Sequence, residues 1–409
     1  MMDTPKGFRL HLGIFGRRNA GKSSLLNRLT RQTTSIVSNI AGTTTDPVEK
    51  PMELLPLGPV LFIDTAGIDD DSDLGQLRVQ KTLQVFDRTE IGILVVDVAR
   101  PEPVWTLFEE KIVHELENRK IPVLVVLNKI DLCDPAPYLL EKLESQKIPF
   151  VLMAAGKRSE EVRILKEELV RIVPEDFLTP PPIASDLLPE GETAVLVVPI
   201  DKEAPKGRLI LPQVQTIRDL LDGNQRCVVV KEDLLEKTIQ QMDPAPALVI
   251  TDSQAFKAVS EIVPPEIPLT SFSILFARQK GNFSILLDGA RAIGRLKPKS
   301  RVLIAEACSH HPITEDIGTE KIPRWLKNYI APDLEIGHVQ GHEFPATSKE
   351  LARWDLMIHC GACMWNRREM LCRINRCLDA GIPITNYGLA IAFMLGILER
   401  AVEPLIRIR

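Results

Sequence analysis

Short apolar runs alternate with longer amphipathic stretches along most of the chain. In the first third the apolar runs cover residues 9–15, 61–63, 123–127 and 149–153, and a polar turn follows each of them. The same alternation returns at residues 194–263 and again at residues 272–400. Apolar runs that take turns with segments of helical length are typical of parallel sheets covered by helices. The pattern therefore predicts an α/β protein whose sheets are mostly parallel.

A proline-rich segment separates the first series of elements from the rest. Residues 174–189 contain the run Thr179-Pro180-Pro181-Pro182, which is stiff and typical of a linker. A chain of 409 residues is also too long for one hydrophobic core. We expect three domains, at residues 1–175, 176–266 and 267–409. The middle one has no group of reactive side chains, so we expect it to serve assembly.

Composition and charge argue against several classes of protein. Apolar residues make up 44% of the chain and charged residues 26%, as in ordinary globular domains. The net charge of −5 argues against a nucleic-acid binder, and no apolar run reaches the roughly 18 residues that span a membrane. The N-terminus lacks the apolar core of an export signal. We therefore expect a cytoplasmic protein in which the seven cysteines are reduced.

A phosphate-binding loop follows the first apolar run. Residues 16–23 have the sequence Gly-Arg-Arg-Asn-Ala-Gly-Lys-Ser, which is the full GxxxxGKS spacing, and a helix is predicted over residues 24–31. The backbone N–H groups of such a loop surround phosphates, Lys22 reaches the β and γ oxygens, and Ser23 ligates Mg²⁺. The first domain is therefore predicted to have a P-loop fold.

Three further motifs, in order, indicate a GTPase. Residues 41–46 form a polar switch loop. The apolar run at residues 61–63 is followed by Asp64-Thr65-Ala66-Gly67. There Asp64 acts on Mg²⁺ through water, and the Gly67 N–H meets the γ-phosphate. Residues 128–131 are Asn-Lys-Ile-Asp, and the Asp131 carboxylate can accept two hydrogen bonds that guanine donates and adenine does not. Ile68 stands where a water-positioning glutamine would follow Gly67, so we expect slow hydrolysis.

The forms Gly42-Thr43-Thr44-Thr45-Asp46 and Asp64-Thr65-Ala66-Gly67 resemble the TrmE–Era branch of GTPases. The resemblance implies that Thr44 ligates Mg²⁺, that Asn19 supports activation by K⁺, and that Ala154 and Ala155 replace the usual Ser-Ala contact to the base. We expect catalytic roles for Lys22, Thr44, Asp64 and Gly67. The expected nucleotide-binding residues are Gly16, Asn19, Ala20, Gly21, Lys22, Ser23, Ser24, Thr44, Asp64, Asn128, Lys129, Asp131, Ala154 and Ala155.

Two clusters of cysteine and histidine lie in the last third of the chain. Cys308-Ser309-His310-His311 follows the apolar residues 301–307, and His359-Cys360-Gly361-Ala362-Cys363 follows residues 354–358. Two neighbouring parallel strands would bring both clusters to the edge where open α/β sheets bind ligands. Three thiolates and one weaker ligand hold either a zinc ion, with His310 or His359 as fourth ligand, or an iron–sulfur cluster. The spacing alone does not decide between them.

Together with the GTPase motifs, the pattern CxHx(about 50)HCxxC resembles the [FeFe]-hydrogenase maturation GTPases of the HydF family over essentially the whole chain. The resemblance implies a [4Fe–4S] cluster on Cys308, Cys360 and Cys363, and we expect His310 or Glu315 as a labile fourth ligand. It also implies a homodimer or larger assembly that acts as a scaffold and carrier. Such a scaffold receives a two-iron precursor, made with two radical-SAM maturases, and passes it to the apo-hydrogenase. The alternative is an RNA- or ribosome-directed GTPase with a structural zinc.

Overall fold

The computed structural model of the chain describes residues 4–31, 47–65, 83–101, 103–154, 159–200, 207–307 and 316–407. Within these ranges no helix is long and apolar enough to cross a membrane. The chain forms two compact units, Met1–Pro180 and Pro181–Arg409. The second unit contains two separate four-stranded sheets.

The first unit is built on one six-stranded sheet with helices packed against it. Its elements are β1 (Leu10–Phe15), α1 (Lys22–Arg31), β2 (Val48–Leu54), β3 (Gly58–Asp64), β4 (Ile91–Asp97), α2 (Leu107–Asn118), β5 (Val123–Asn128), α3 (Pro137–Ser145), β6 (Phe150–Met153), α4 (Ser159–Ile172) and α5 (Glu175–Leu178). The strand order is β2-β3-β1-β4-β5-β6, and every pair is parallel except β2 with β3.

Both faces of this sheet are covered, which explains its long apolar runs. Strands β1, β4 and β5 lie in the interior of the sheet, and nearly all of their residues are buried. Leu12 and Ile93 belong to the core on one face, whereas Leu61 and Leu94 belong to the core on the other. A strand that is buried on both faces has no polar side to alternate with. The parallel pairing also brings the carboxyl ends of β1, β3 and β5 to one edge of the sheet.

The helix of the phosphate-binding loop begins at Lys22, two residues earlier than the sequence predicted. In such loops the lysine and serine already have helical backbone angles, because the N–H groups of the first helical turn point at the phosphates. The end at Arg31 agrees with the prediction.

The first sheet of the second unit has four parallel strands in the order β10-β9-β7-β8. Its elements are β7 (Thr193–Val197), α6 (Leu211–Asp222), β8 (Arg226–Val230), α7 (Leu235–Gln241), β9 (Leu248–Thr251), α8 (Phe256–Ile262) and β10 (Leu269–Ser271). The last strand, β10, follows residue 266, at which the sequence placed a domain boundary. The three-domain limits themselves remain a prediction.

The second sheet has four parallel strands in the order β12-β11-β13-β14. Its elements are α9 (Phe272–Lys280), α10 (Phe283–Ala292), β11 (Arg301–Glu306), a π-helical turn (Ile317–Lys321), α11 (Ile322–Tyr329), β12 (Glu335–Gln340), α12 (Ser348–Leu351), β13 (Leu356–His359), α13 (Arg367–Asp379), β14 (Ile384–Asn386), α14 (Tyr387–Met394) and α15 (Leu398–Ile406).

Strands β11 and β13 are direct parallel neighbours, as predicted from the two clusters. Ala305 pairs with His359, so both strands end at the same edge of the sheet. The chain leaves β11 toward β12 on one side and later returns on the other side as β13. A reversal of this kind opens a crevice at the carboxyl ends of the strands. The predicted fold class, a P-loop domain followed by two smaller parallel-sheet α/β parts, is confirmed.

Candidate functional site

Two glycines shape the phosphate-binding loop between β1 and α1. Gly16 has a φ of +140°, and a Cβ on it would lie 2.4 Å from the carbonyl oxygen of Val95. Gly21 has a φ of +99°, and a Cβ on it would lie 2.1 Å from the side-chain nitrogen of Asn128. Both positions therefore require glycine because of the backbone conformation and because of the close approach of β4 and β5.

Lys22 lies across the inside of this loop. Its Nζ donates to the carbonyl oxygens of Gly16 and Arg17, at 2.7 Å in each case, and the side chain is buried. This is the region that the phosphates of a nucleotide occupy in a P-loop. Asn19 has a left-handed φ of +62°, which asparagine tolerates better than most residues, and its side chain is exposed.

The end of β3 and the start of α1 form an oxygen-rich corner. Ser23 Oγ donates to Asp64 Oδ2 at 3.2 Å. Asp64 Oδ1 is buried and has no hydrogen-bond partner in the part of the chain that the structure describes. Burial raises the pKa of Asp64, and the positive charge of Lys22 opposes this effect. A hydroxyl beside an unsatisfied carboxylate oxygen suits Mg²⁺, which prefers oxygen ligands and retains water. The described residues therefore fit a magnesium ion.

The Asn-Lys-Ile-Asp motif is tied to the phosphate-binding loop. Asn128 donates from Nδ2 to the carbonyl oxygen of Ala20 at 2.8 Å and is buried. Lys129 has a φ of +68°, and its Nζ lies 2.6 Å from Asp97 Oδ2 at the end of β4. Asp131 lies at the surface beyond this anchored pair. Asn128 and Lys129 thus anchor the motif to the protein. The Asp131 carboxylate that follows them is exposed, so the edge of a guanine can approach it.

Ala154 and Ala155, after β6, were predicted to contact the nucleotide base, and the structure describes Ala154. The backbone groups of Ala154 already have hydrogen-bond partners. Its N–H donates to Glu161 Oε2 at 3.1 Å, and its carbonyl oxygen accepts from Arg28. The base contact that the sequence placed on this N–H would require Glu161 to move away. Other predicted site residues lie outside the described residues, and these are Thr44, Gly67, Ala155, Cys308, His310 and Glu315.

Cys360 lies at the edge where β11 and β13 end. Its N–H donates to Ala305 O at 2.9 Å, and its Sγ accepts from the N–H of Ala307 at 3.1 Å. Ala307 is the residue directly before Cys308 in the sequence. Ala362 has a φ of +50°, so the chain turns sharply between Cys360 and the half-buried Cys363. An N–H group directed at sulfur stabilises a thiolate, as in sites where thiolates bind metal.

His359 is fully buried beside this turn, and both of its ring nitrogens are engaged. Nε2 lies 3.0 Å from Nη1 of Arg373, and Nδ1 lies 2.9 Å from the carbonyl oxygen of Cys360. Burial, followed by the charge of Arg373, lowers the pKa of His359 to about 3, and the hydrogen bond to Cys360 opposes this shift. His359 is therefore a neutral imidazole at physiological pH.

A buried polar group that the sequence reasoning missed lies at the same edge. Tyr387 donates from its hydroxyl to Glu306 Oε1 at 3.1 Å, and Gln340 donates to Glu306 Oε2 at 3.2 Å. A Cβ on Gly318 would lie 2.3 Å from the Tyr387 hydroxyl, so the π-helical turn closes over this pair. Burial, then the nearby charges of Cys360 and Glu306, raise the pKa of Tyr387. The signal in the sequence was a glutamate within an apolar strand.

In the described ranges no three histidine, cysteine, aspartate or glutamate side chains gather as a metal site. Those ranges exclude Cys308, which the sequence placed with Cys360 and Cys363. The Ala307 N–H nevertheless donates to Cys360 Sγ, so the residue before Cys308 lies next to a second cysteine. This arrangement fits a metal or cluster that thiolates bind.

Three family models match consecutive parts of the chain. A 50S ribosome-binding GTPase model matches residues 11–129, the hydrogen maturase F dimerization domain matches residues 183–281, and the hydrogen maturase F tetramerization domain matches residues 284–404.

Individual relatives each match about two fifths of the chain. GTPase Der of Wolinella succinogenes is 31% identical over 40% of this chain and 36% of its own length. The tRNA modification GTPase MnmE of Trichormus variabilis is 33% identical over 40% of this chain and 34% of its own length. The chain thus spans about a third of the length of these relatives. The G domain of the T. maritima FeoB iron transporter superposes with a TM-score of 0.31 at 22% identity, over 40% of this chain and 98% of that one.

The phosphate-binding loop, the Asp64 corner and the anchored Asn128–Asp131 motif define a P-loop GTPase, for which GTP and Mg²⁺ are the expected ligands. The two models that match residues 183–281 and 284–404 are both domains of hydrogen maturase F. The chain belongs to the hydrogen maturase F family, which agrees with the resemblance found in the sequence.

Proposed function

We propose that this GTPase is an iron–sulfur scaffold and carrier in hydrogenase maturation. It assembles the two-iron precursor of the [FeFe]-hydrogenase active site and transfers it to the apo-hydrogenase. The family matches over residues 183–404 support a role in maturation. The observation that carries the scaffold role is the Ala307 N–H directed at Cys360 Sγ, because it brings the residue before Cys308 to within 3.1 Å of a second cysteine.

Cys308, Cys360 and Cys363 would hold a [4Fe–4S] cluster in this proposal. Three protein thiolates leave one iron for an exchangeable ligand, which is His310 or Glu315 in our proposal. The chain's own contribution is to fix the sulfur positions. The Ala307 N–H holds the Cys360 sulfur, and the buried Glu306–Tyr387 pair fills the space beside it.

Removal of Cys360 tests the ligand set. The Cys360→Ala variant is expected to lose the EPR signal of a reduced [4Fe–4S] cluster after anaerobic reconstitution, because two thiolates do not hold such a cluster. GTP hydrolysis should stay near the wild-type rate, since the phosphate-binding loop lies in the other unit. Cys227→Ala is the matched control, because Cys227 is a half-buried cysteine on β8. A full cluster signal in Cys360→Ala would contradict the ligand set.

Asp131 is proposed to select guanine, because its exposed carboxylate follows the anchored Asn128 and Lys129. Asp131→Asn exchanges an acceptor for a donor, so the variant should bind xanthosine triphosphate and lose affinity for GTP. We expect the ratio of the two affinities to change by about 100-fold or more, because the guanine N1–H would then face a donor in place of an acceptor. Competition binding measures it, and an unchanged ratio would refute the role of Asp131.

Hydrolysis is proposed to be slow and stimulated by K⁺. Asn19 supports this proposal because its exposed side chain and left-handed backbone lie at the rim of the phosphate-binding loop. Turnover should be faster in KCl than in NaCl at equal ionic strength, and Asn19→Ala should remove the difference. Equal rates of the wild type in the two salts would count against a bound cation.

The two family matches are to domains named for dimerization and tetramerization, which support self-association. We propose that edge strand β8 carries one of the contacts. Among the described residues β8 pairs with β7 alone, and Val229 on it is 44% exposed. An open apolar edge invites pairing with another strand, and a second copy of the same chain meets it across a two-fold axis.

Val229→Lys should halve the mass of the assembly in light scattering, since a lysine on an edge strand prevents pairing. Val170→Lys is the matched control, because Val170 is 39% exposed on α4 of the first unit. An assembly of unchanged mass in Val229→Lys would contradict the use of β8.

The proposed partners beyond self-association are the apo-hydrogenase and two radical-SAM maturases, in the cytoplasm.

A further inference from the structure

Arg373 is a buried cation in helix α13, thirteen residues after Cys360. Its side chain is 3% exposed. The guanidinium carbon lies 4.1 Å from the ring centre of Trp365 and 4.6 Å from that of Phe344. Two aromatic faces at these distances fix the plane of the guanidinium and stabilise its charge. The side chain therefore has one defined orientation.

This orientation directs one N–H group of Arg373 at His359, the residue before Cys360, and another at the backbone after β12. Nη1 reaches His359 Nε2 at 3.0 Å, and Nη2 donates to Gly341 O at 2.7 Å. Because arginine only donates, His359 Nε2 must be the acceptor and Nδ1 must carry the ring proton. That proton points at the carbonyl oxygen of Cys360, 2.9 Å away. A continuous line of hydrogen bonds thus runs from Arg373 through His359 to Cys360.

The same hydrogen bonds determine whether His359 can act as a metal ligand. A neutral imidazole has a single nitrogen lone pair, and the Nε2 lone pair is directed at Arg373. The ring is fully buried, and its second nitrogen is held by the Cys360 carbonyl oxygen. His359 therefore has no lone pair to offer a metal, although the spacing of the sequence motif made it a candidate ligand.

We propose that Arg373 is a positioning residue of the cysteine site. Through His359 it holds the backbone at Cys360 in place, keeps His359 away from the metal, and places a permanent positive charge one residue away from Cys360 along this line of hydrogen bonds. This inference rests on the proposed cluster. A fixed positive charge near a thiolate-bound cluster favours its reduced form, which carries one more negative charge.

Replacement of the arginine separates charge from packing. Arg373→Gln should shift the oxidised–reduced equilibrium of the reconstituted cluster about tenfold toward the oxidised form, which is about 59 mV for a one-electron couple. Arg373→Lys retains the charge and should stay close to the wild-type potential. Arg324→Gln removes an exposed charge from α11 of the same domain, where solvent screens it, and serves as the control.

A lower reduction potential in Arg373→Gln than in Arg373→Lys supports the role of the charge, and so does a cluster that only the lysine variant retains. Equal reduction potentials in the two variants, or a higher potential in Arg373→Gln, overturn the proposal. The potential is the deciding quantity, because a residue that served packing alone would not distinguish the two replacements by charge.

Two spectroscopic measurements test the contact itself. Pulsed EPR of the reduced cluster with ¹⁵N-labelled histidine should give the same strongly coupled nitrogen signals in the wild type and in His359→Gln, and a signal lost in the variant overturns the proposal.

In the metal-free protein, ¹⁵N NMR should find the ring proton of His359 on Nδ1, and a proton on Nε2 overturns the proposal. A wild-type chain that takes up no cluster contradicts the proposed function, whereas the NMR result judges the Arg373–His359 contact independently.

Discussion

The parallel pairing of β11 with β13 is the constraint on which the cysteine site depends. Ala305 stands opposite His359, so the two strands end within one residue of each other at the same edge of the sheet. The Ala307 N–H can meet the Cys360 sulfur only in this register. A slip of one residue would turn each side chain of β13 to the other face and move His359 away from Arg373. The geometry of the site is therefore set by backbone pairing first and by side chains second.

The same principle operates in the first unit with different chemistry. There the carboxyl ends of β1, β3 and β5 share an edge, and each contributes one part of the nucleotide site: the phosphate-binding loop, Asp64 and Asn128. Asn128 joins two of these parts directly, since it bonds to Ala20 O and fills the space above Gly21. The Asn128–Asp131 motif and the phosphate-binding loop are thus directly hydrogen-bonded to each other at one edge of the sheet.

Local sequence patterns predicted the parts of the molecule that depend on short-range rules. The phosphate-binding loop, the strand before Asn128 and the shared edge of β11 and β13 follow from glycine spacing, apolar runs and chain order. The partners of buried polar groups could not be predicted in this way. Glu306 meets Tyr387 across 81 positions of the chain, and His359 meets Arg373 only because α13 folds back over β13. Ala154 shows the same limit, because its N–H bonds to Glu161 on the following helix.

The central claim is that one chain joins a GTPase domain to a cluster held where β11 and β13 end. Mössbauer spectroscopy of the anaerobically reconstituted wild-type protein, enriched in ⁵⁷Fe, tests it most directly. The account predicts the spectrum of a [4Fe–4S] cluster with one of its four irons distinct from the other three, because that iron lacks a cysteine. A colourless protein that binds a single zinc ion and no iron under the same conditions would contradict it.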